Sequence, residues 1–220
     1  MLYTLQSAID KVRRLCADPG GNEPLFSDEL IVDGLNESLQ AILPWVANEA
    51  TTEYTGDGET FQFELPADLY EVQALHSSVS HAFIPRIGLF PGSLWFAGEG
   101  TSLDEQSFME YPAGFVSVAS PPNSSDTLTL YYTAYWPEPE EADDTLAPPT
   151  ACYAAICYYA ASYCLATKGQ SAANIRQYNT RVDSGNPEHN PVMELSKHYL
   201  KRFDMEIGRH PQTQKGAKSG

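Results

Sequence analysis

An uncharged segment from residue 145 to residue 167 constrains this chain more than any other sequence feature. Its length raises the question of a membrane span, because about 20 apolar residues cross a bilayer. However, Pro148 and Pro149 shorten the helical part, and the remainder is Ala, Tyr, Cys, Ser and Thr rather than the Leu, Ile, Val and Phe that hydrocarbon favours. We therefore predict a helix over residues 150–167, stopped by Lys168-Gly169 and buried in a crowded helical bundle.

Tyrosine and alanine occur on all sides of this predicted helix, so every side of it has to be covered. Its tyrosines are Tyr153, Tyr158, Tyr159 and Tyr163. Either the helix packs in the core of its own bundle, or a neighbouring subunit covers part of it, since protein interfaces readily supply partners for tyrosine hydroxyls. The four tyrosines are thus candidate subunit-interface residues, and both alternatives stay open.

Three of the four cysteines lie in the same segment. They are Cys152, Cys157 and Cys164, and the fourth is Cys16. Their spacings match neither a CxxC pair nor a zinc-finger pattern. We interpret the cysteines as small buried apolar residues in a reducing cytosol, and we expect neither a metal nor a cofactor.

Charge divides the chain into three parts. The 220 residues include 13 basic and 29 acidic side chains, and the formal charge of −16 opposes broad binding to nucleic-acid phosphates or anionic membranes. Residues 1–50 have a balance of −5 and residues 51–150 one of −15, whereas residues 151–220 have a balance of +4. We expect the two ends of such a polarised chain to bind different partners.

The first fifty residues predict two helices. Thr4 is placed to cap the first, whose apolar residues recur at three- and four-residue spacing until Asp18-Pro19-Gly20-Gly21 interrupts them. Ser27 offers a second N-cap, and two acidic residues and an apolar stripe from Ile31 to Val46 follow it. A proline within this stripe is expected to kink or end the second helix.

The middle of the chain changes to a two-residue period. Gly56-Asp57-Gly58 signals a turn, and alternating residues follow it from Thr60 to Leu65. Short segments rich in aromatic and β-branched residues predict further strands at residues 70–76, 82–84, 93–97, 115–119 and 127–136. A small antiparallel sandwich or barrel is the expected result.

Residues 137–144 combine proline with like charges, which is typical of a linker that does not pack. Helical patterns return over residues 150–167, 171–182 and 191–207. The predicted fold class is α+β, in which N- and C-terminal helices form one helical bundle with an inserted small antiparallel β-sandwich or barrel domain. The predicted division is N-terminal bundle helices at 1–50, the inserted β domain at 51–136, an acidic Pro-rich linker at 137–149, C-terminal bundle helices at 150–207 and a basic flexible tail at 208–220.

Sequence motifs of catalysis are absent. There is no P-loop, no GxSxG elbow and no HExxH. Gly98-Glu99-Gly100 begins like a dinucleotide-binding fingerprint, but Leu103 stands where the third glycine is required. We therefore expect a protein that is not an enzyme.

The layout resembles that of the head-to-tail adaptor, or connector, proteins of tailed bacteriophages. In that family a second helix has the form LL-x-x-LN-x-A/S-x-x-x-I, and residues 29–42, ELIVDGLNESLQAI, stand in that place here. Leu65-Pro66-Ala67-Asp68-Leu69 matches the Leu-Pro and Asp-Leu that open the family's β segment. A Tyr-Tyr-Thr-Ala-Tyr-Trp-Pro segment, an acidic linker and a Tyr/Ala helix then follow in the family's order. The resemblance covers roughly residues 3–207.

The resemblance implies a structural virion protein that forms a homo-oligomeric ring, commonly of twelve copies, in the neck between capsid and tail, after assembly in the host cytoplasm. Its implied partners are the portal protein and a tail or neck protein of the terminator or nozzle type, with DNA passing through the ring without sequence-specific binding and no membrane involved. By this analogy the basic tail docks on the portal through Arg209, Lys215 and Lys218. The acidic candidates that face the channel or the tail are Glu138, Glu140, Glu141, Asp143 and Asp144.

Two other functions are alternatives at this point. One is an acidic β-sandwich binding module, for carbohydrate or for a tail or receptor interaction, on a helical scaffold. The aromatic side chains that favour it are Trp95, Phe96, Tyr111 and Trp136. The weaker alternative is a hydrolase that uses scattered carboxylates.

Overall fold

A computed structural model describes residues 3–21, 24–86, 107–111, 114–179 and 191–209. For residues 170–179 it describes the backbone alone. The described residues form two compact units. The helical unit combines those up to Ala47 with those from Trp136 onward, and the sheet unit lies between Asn48 and Tyr135. The chain therefore leaves the helical unit, builds the sheet unit and then returns.

The described part of the helical unit contains four α-helices: α1 (Leu5–Leu15), α2 (Asp28–Ile42), α3 (Tyr153–Asn179) and α4 (Pro191–Ile207). A 3-10 turn, Thr150–Cys152, leads directly into α3. Helix α3 packs against each of the other three helices, so helices from both ends of the chain share one core. This arrangement confirms the predicted α+β class with an antiparallel β insertion.

The sequence signals at the starts of α1 and α2 act as helix caps. The Thr4 side chain accepts a hydrogen bond from the Ser7 amide (3.3 Å), and the Ser27 side chain accepts one from the Leu30 amide (3.2 Å). Each cap satisfies an amide that has no partner within its own helix. The apolar stripes of the two helices face the shared core, and α2 ends two residues before Pro44.

Helices α2 and α3 approach each other closely at Gly34. A Cβ atom at this position would lie 3.1 Å from Cδ1 of Tyr163 and 3.3 Å from Cα and O of Ala160. These distances are tighter than ordinary van der Waals contact, so a side chain here would press against the backbone of α3. Small residues therefore set the spacing between these two helices.

Helix α3 is longer than predicted. The stop at Lys168-Gly169 and the separate helix over residues 171–182 are wrong, because one continuous helix extends to Asn179. A glycine inside a helix costs only about 1 kcal/mol relative to alanine. Gly169 is buried and the Lys168 ammonium lies 5.1 Å from the centre of the Phe26 ring, so tertiary contacts offset this cost.

Residues 137–144, which the sequence predicted not to pack, contact α1 through their backbone. The Leu5 amide donates to the carbonyl oxygen of Asp144 (2.8 Å), and the Leu146 amide donates to that of Tyr3 (2.9 Å). The Leu146 side chain is buried in the helical core. Like charges did not prevent packing, because the backbone makes contacts and the apolar Pro139, Leu146 and Pro148 are buried, while most acidic side chains stay at the surface.

The described part of the sheet unit contains two antiparallel sheets. Their strands are β1 (Asn48–Thr55), β2 (Gln62–Glu64), β3 (Leu69–Ser77), β4 (Ala82–Ile84), β5 (Phe108–Tyr111), β6 (Phe115–Val118) and β7 (Thr127–Ala134). The four-stranded sheet has the order β1-β7-β3-β4, and the three-stranded sheet has the order β2-β6-β5. Apolar side chains of both sheets form one core, in which Leu75, Val116 and Leu130 are fully buried.

Strands β1 and β5 were not predicted. β1 exposes Glu49, Thr51 and Glu53 on one side and has only half-buried residues on the other, so it lacks the apolar rhythm that identifies a strand. Pairing with β7 along its whole length holds it in the sheet. β5 has four residues, too few to establish a period. The strand predicted at residues 93–97 lies outside the described residues.

A buried carboxylate organises the loop between α1 and α2. The Asp18 side chain accepts hydrogen bonds from the amides of Gly20, Leu25 and Phe26, and it pairs with the guanidinium of Arg13. Burial by itself raises the pKa of Asp18, but the amides and the Arg13 charge outweigh it and hold the pKa below its ordinary value. The interruption that the sequence shows between the helices is therefore an ordered, charge-stabilised turn.

We predict that Asp18→Asn destabilises the protein by about 3 kcal/mol, because a neutral amide cannot satisfy Arg13 and the three backbone amides together. Since folding lowers the pKa of Asp18, its stabilisation is complete above about pH 4 and is lost as the pH falls through the folded-state pKa. Urea unfolding of the unsubstituted chain and of Asp18→Asn, at neutral pH and at pH values below about 4, measures the cost of the substitution and its pH dependence.

The matched control is Asp28→Asn. The Asp28 carboxylate also pairs with Arg13 but is 67% exposed, so its loss is expected to cost less than about 1 kcal/mol. Equal costs for the two variants would contradict the role assigned to Asp18.

Candidate assembly surfaces

The uncharged helix α3 is covered by α1, α2 and α4 of its own chain. Its described buried residues are Tyr153, Ala155, Ile156, Cys157, Ala160, Ala161, Ser162, Cys164, Leu165 and Gly169. Of the two alternatives for this helix, packing within its own bundle accounts for these residues. None of the helices in the described ranges is long and apolar enough to cross a membrane.

Tyr153 is a core residue of the bundle. Its ring stacks on that of Tyr3 with the centroids 3.6 Å apart, and its hydroxyl donates to the carbonyl oxygen of Ser7 (2.9 Å). The Lys11 ammonium lies 4.5 Å from the ring centre, and burial raises the pKa of the phenol. With 8% of the residue exposed, almost none of Tyr153 is available to a neighbouring subunit.

The other three candidate tyrosines are partly exposed. Tyr158 stacks on Tyr199 of α4 with the centroids 5.9 Å apart, and Tyr159 meets Phe203 of α4 edge to face at 5.2 Å. Tyr163 packs against α2. Each of these rings therefore has a partner in its own chain and a remaining part that faces outward.

The cysteines are buried, as the sequence predicted. Burial raises the pKa of Cys16, Cys157 and Cys164 to about 12, and it also raises the pKa of Cys152. The four thiols are free, and a thiol with so high a pKa is a poor nucleophile near neutral pH. Among the described residues, no group of three or more His, Cys, Asp or Glu side chains is arranged to hold a metal ion.

Asp144 differs from the other acidic candidates because it stabilises the backbone. Its carboxylate accepts hydrogen bonds from the amides of Glu141 (2.8 Å) and Glu140 (2.9 Å). These two bonds lower the pKa of Asp144. Asp144 therefore closes a turn in the segment that contacts α1.

The remaining acidic candidates form an exposed group, which we call the acidic patch: Glu138, Glu140, Glu141 and Asp143. Glu138 accepts a hydrogen bond from the side-chain amide of Asn36 (3.2 Å). Within the described part of the chain, no cation forms an ion pair with any of the four carboxylates. The described residues thus leave the negative charge of the patch without a paired cation.

Of the three basic candidates at the C-terminus, the structure describes one. Arg209 pairs with Glu206 of the last turn of α4 (2.9 Å). Lys215 and Lys218 lie outside the described residues. A docking role for these side chains stays a prediction.

The aromatic side chains that favour a binding module belong to different parts of the chain. Tyr111 stacks on Phe115 in the three-stranded sheet, with the centroids 4.7 Å apart. Trp136 packs against the core of the helical unit. Trp95 and Phe96 lie outside the described residues.

The outer face of the four-stranded sheet carries exposed aromatic side chains that the sequence analysis missed. Phe83 is 65% exposed and Tyr131 is 39% exposed, and their ring centroids lie 6.0 Å apart. The His76 ring lies 5.4 Å from that of Phe83. The adjacent pair Tyr131 and Tyr132 was the available signal, because only one of two successive strand residues faces the core.

The inserted sheets, the closed bundle and the exposed charged and aromatic surfaces fit a protein that assembles with others. A family model described as SU10 adaptor protein matches residues 3–191. Because the match covers most of the chain, the chain belongs to the SU10 adaptor protein family, a family of phage head-tail adaptors. The resemblance found in the sequence is thereby confirmed, and this family is structural rather than catalytic. A comparison with curated proteins finds no significant match.

We predict that Tyr153→Phe lowers the stability of the isolated chain by about 1 kcal/mol, because the ring stack stays and one hydrogen bond is lost. Tyr153→Ala is expected to cost about 3–5 kcal/mol, since it also leaves a cavity. Urea unfolding of the isolated chain measures both changes. An unchanged stability together with impaired assembly would contradict the core role and favour a subunit interface.

Proposed function

We propose that this protein is a head-to-tail adaptor that forms a ring between the portal and the tail, in the neck of the virion, and that lines the channel for DNA. The family match over residues 3–191 carries the proposal. The division of charge supports it, because a connector has to meet different partners at its two ends. The chain is acidic up to residue 150 and basic beyond it.

The acidic patch has the property that a DNA conduit needs. A ring repeats its four exposed carboxylates around the axis, and a negative lumen repels phosphates so that DNA slides past without adhering. We infer that the patch faces the channel or the tail.

Neutralising the acidic patch is expected to make assembled rings retain DNA. The variant combines Glu138→Gln, Glu140→Gln, Glu141→Gln and Asp143→Asn. Because repulsion is lost, retention of linear duplex DNA by rings assembled on the portal is expected to rise about tenfold at low salt and less at high salt. Gel-shift titration at several salt concentrations measures the change.

A second variant with the same change of charge serves as the control. It neutralises exposed acids of α1 and α2: Asp10→Asn, Glu29→Gln, Asp33→Asn and Glu37→Gln. If both variants retain DNA equally, the total charge matters and the acidic patch has no special position. Such a result would contradict the inferred placement of the patch.

Ending the chain at Arg209 is expected to preserve the fold and to impair docking on the portal, because the cationic Lys215 and Lys218 are lost. Electron microscopy of the purified chain, alone and mixed with portal protein, measures ring formation and portal occupancy. Thermal unfolding shows whether the shortened chain is folded. The control, Lys215→Arg with Lys218→Arg, keeps the charge and is expected to dock normally.

Normal portal occupancy by the shortened chain would contradict docking through the tail. Failure of the full chain to form any ring, with or without portal protein, would contradict the proposed function as a whole.

A further inference from the structure

Helix α4 has one buried side and one exposed side. Ser196, Phe203 and Ile207 are buried on the first. On the other side, Leu195, His198, Arg202 and Met205 lie three and four positions apart and form an exposed stripe. We call these four residues, together with the exposed Arg209 two residues beyond the end of the helix, the α4 stripe. This stripe has no cover within the described part of the chain.

The α4 stripe combines apolar and cationic side chains. Leu195 is 38% exposed and Met205 is 48% exposed. Arg202 forms no ion pair with any described residue, whereas Arg209 is paired with Glu206. A partner for this stripe therefore needs both an apolar surface and carboxylates.

The outer face of the four-stranded sheet has the complementary composition. The exposed Tyr131 of β7 lies opposite Thr51 of β1, and Glu49 and Glu53 flank Thr51 on the same side of the strand. The exposed Glu71 of β3 is in register with Thr133 of β7. None of these three glutamates forms an ion pair with a described residue.

We define the sheet face as the set of exposed and half-exposed side chains on this surface: His76, Phe83, Tyr131, Glu49, Glu53 and Glu71. Its centre is aromatic and its surroundings are acidic. An arginine that approaches it can pair with a carboxylate and lie over an aromatic ring, and apolar side chains can cover Phe83. These are the groups that the α4 stripe presents.

We propose that the sheet face of one copy binds the α4 stripe of the next copy. The inference rests on the proposed function, because it names the contact between copies that a ring requires. A contact between two different faces is head-to-tail, and repetition of such a contact with a closing rotation gives a ring. The complementarity of charge and of apolar area on one chain supports a second copy as the occupant of each face.

Duplex DNA and the portal protein are the other candidate occupants. DNA bound to the α4 stripe would contact Arg202 and Arg209 but would leave Leu195 and Met205 uncovered. The acidic sheet face would repel DNA and so would not bind it. A portal docked on the stripe would leave the sheet face without a partner. The second copy covers both faces at once.

A charge swap in the full-length chain tests the contact. Arg202→Glu alone and Glu53→Arg alone are each expected to lower ring formation on the portal about tenfold at a given protein concentration, since each places like charges together. The two changes combined are expected to recover most of the loss. The fraction of portals with complete rings, counted by electron microscopy, measures the effect.

The control is Lys197→Glu, which makes the same change of charge at another exposed residue of α4. Successive residues lie about 100° apart around a helix, so Lys197 lies about 140° from Arg202 and is not three or four positions from any residue of the stripe. This exposed variant is expected to form rings normally. Single variants without effect, or a double variant no better than the worse single one, would overturn the proposal.

Photo-crosslinking identifies the partner directly. Benzoylphenylalanine is placed at position 83, where Phe83 is exposed, and rings are assembled from a mixture of isotope-labelled and unlabelled chains. Crosslinks from this position to residues 191–209 of a differently labelled copy are expected. Crosslinks to the same copy, to portal protein, to DNA or to another segment of the neighbour would overturn the proposal.

Different results would contradict the proposed contact between copies and the proposed adaptor function. Normal rings with crosslinks elsewhere would overturn this contact and leave the adaptor function standing. A full-length, unsubstituted chain that never forms a ring would overturn the proposed function and this contact together.

Discussion

Burial of the uncharged helix α3 is the constraint on which the rest of the fold depends. Its small residues allow close approach by its neighbours, at Gly34 of α2 and at Ser196 of α4. There, the hydroxyls of Ser162 and Ser196 each donate to the other residue's carbonyl oxygen at 2.9 Å. Because the cover comes from both ends of the chain, those ends have to meet, and the sheets can only be inserted between them.

Further contacts fix the two ends of the chain to each other. The Tyr199 hydroxyl of α4 donates to the carbonyl oxygen of Leu15 at the end of α1 (2.7 Å). At the other end of α1, Thr4 pairs with Thr145 in an isolated antiparallel bridge. Both ends of α1 are therefore tied to C-terminal segments of the chain. An acidic segment can take part in this because its backbone amides and carbonyl groups, not its carboxylates, form the hydrogen bonds with Tyr3 and the first turn of α1.

The fold class was predictable from the sequence because its signals are local. Thr4 and Ser27 cap the helices that they were expected to cap, and the apolar stripes of α1 and α2 face the core. The course of α3 past Gly169 was not predictable, because it depends on tertiary packing that a local stop signal does not reveal. β1 was missed for a related reason: its pairing with β7 and not its own composition makes it a strand.

For the candidate surfaces too, the local sequence indicates which residues need cover, but only the tertiary structure determines which of them are exposed. The sequence drew attention to the tyrosines of α3 because a helix with aromatic residues on every side needs cover, yet its own bundle supplies cover for Tyr153. Phe83, the most exposed of the large apolar side chains in the described residues, lies instead on the sheet face, and Leu195 and Met205 are exposed on α4. Their exposure follows from strand register and from the side of α4 that packs on α3, neither of which a linear pattern specifies. A surface for association is therefore better sought where apolar exposure coincides with unpaired charge than where aromatic residues are most frequent in the sequence.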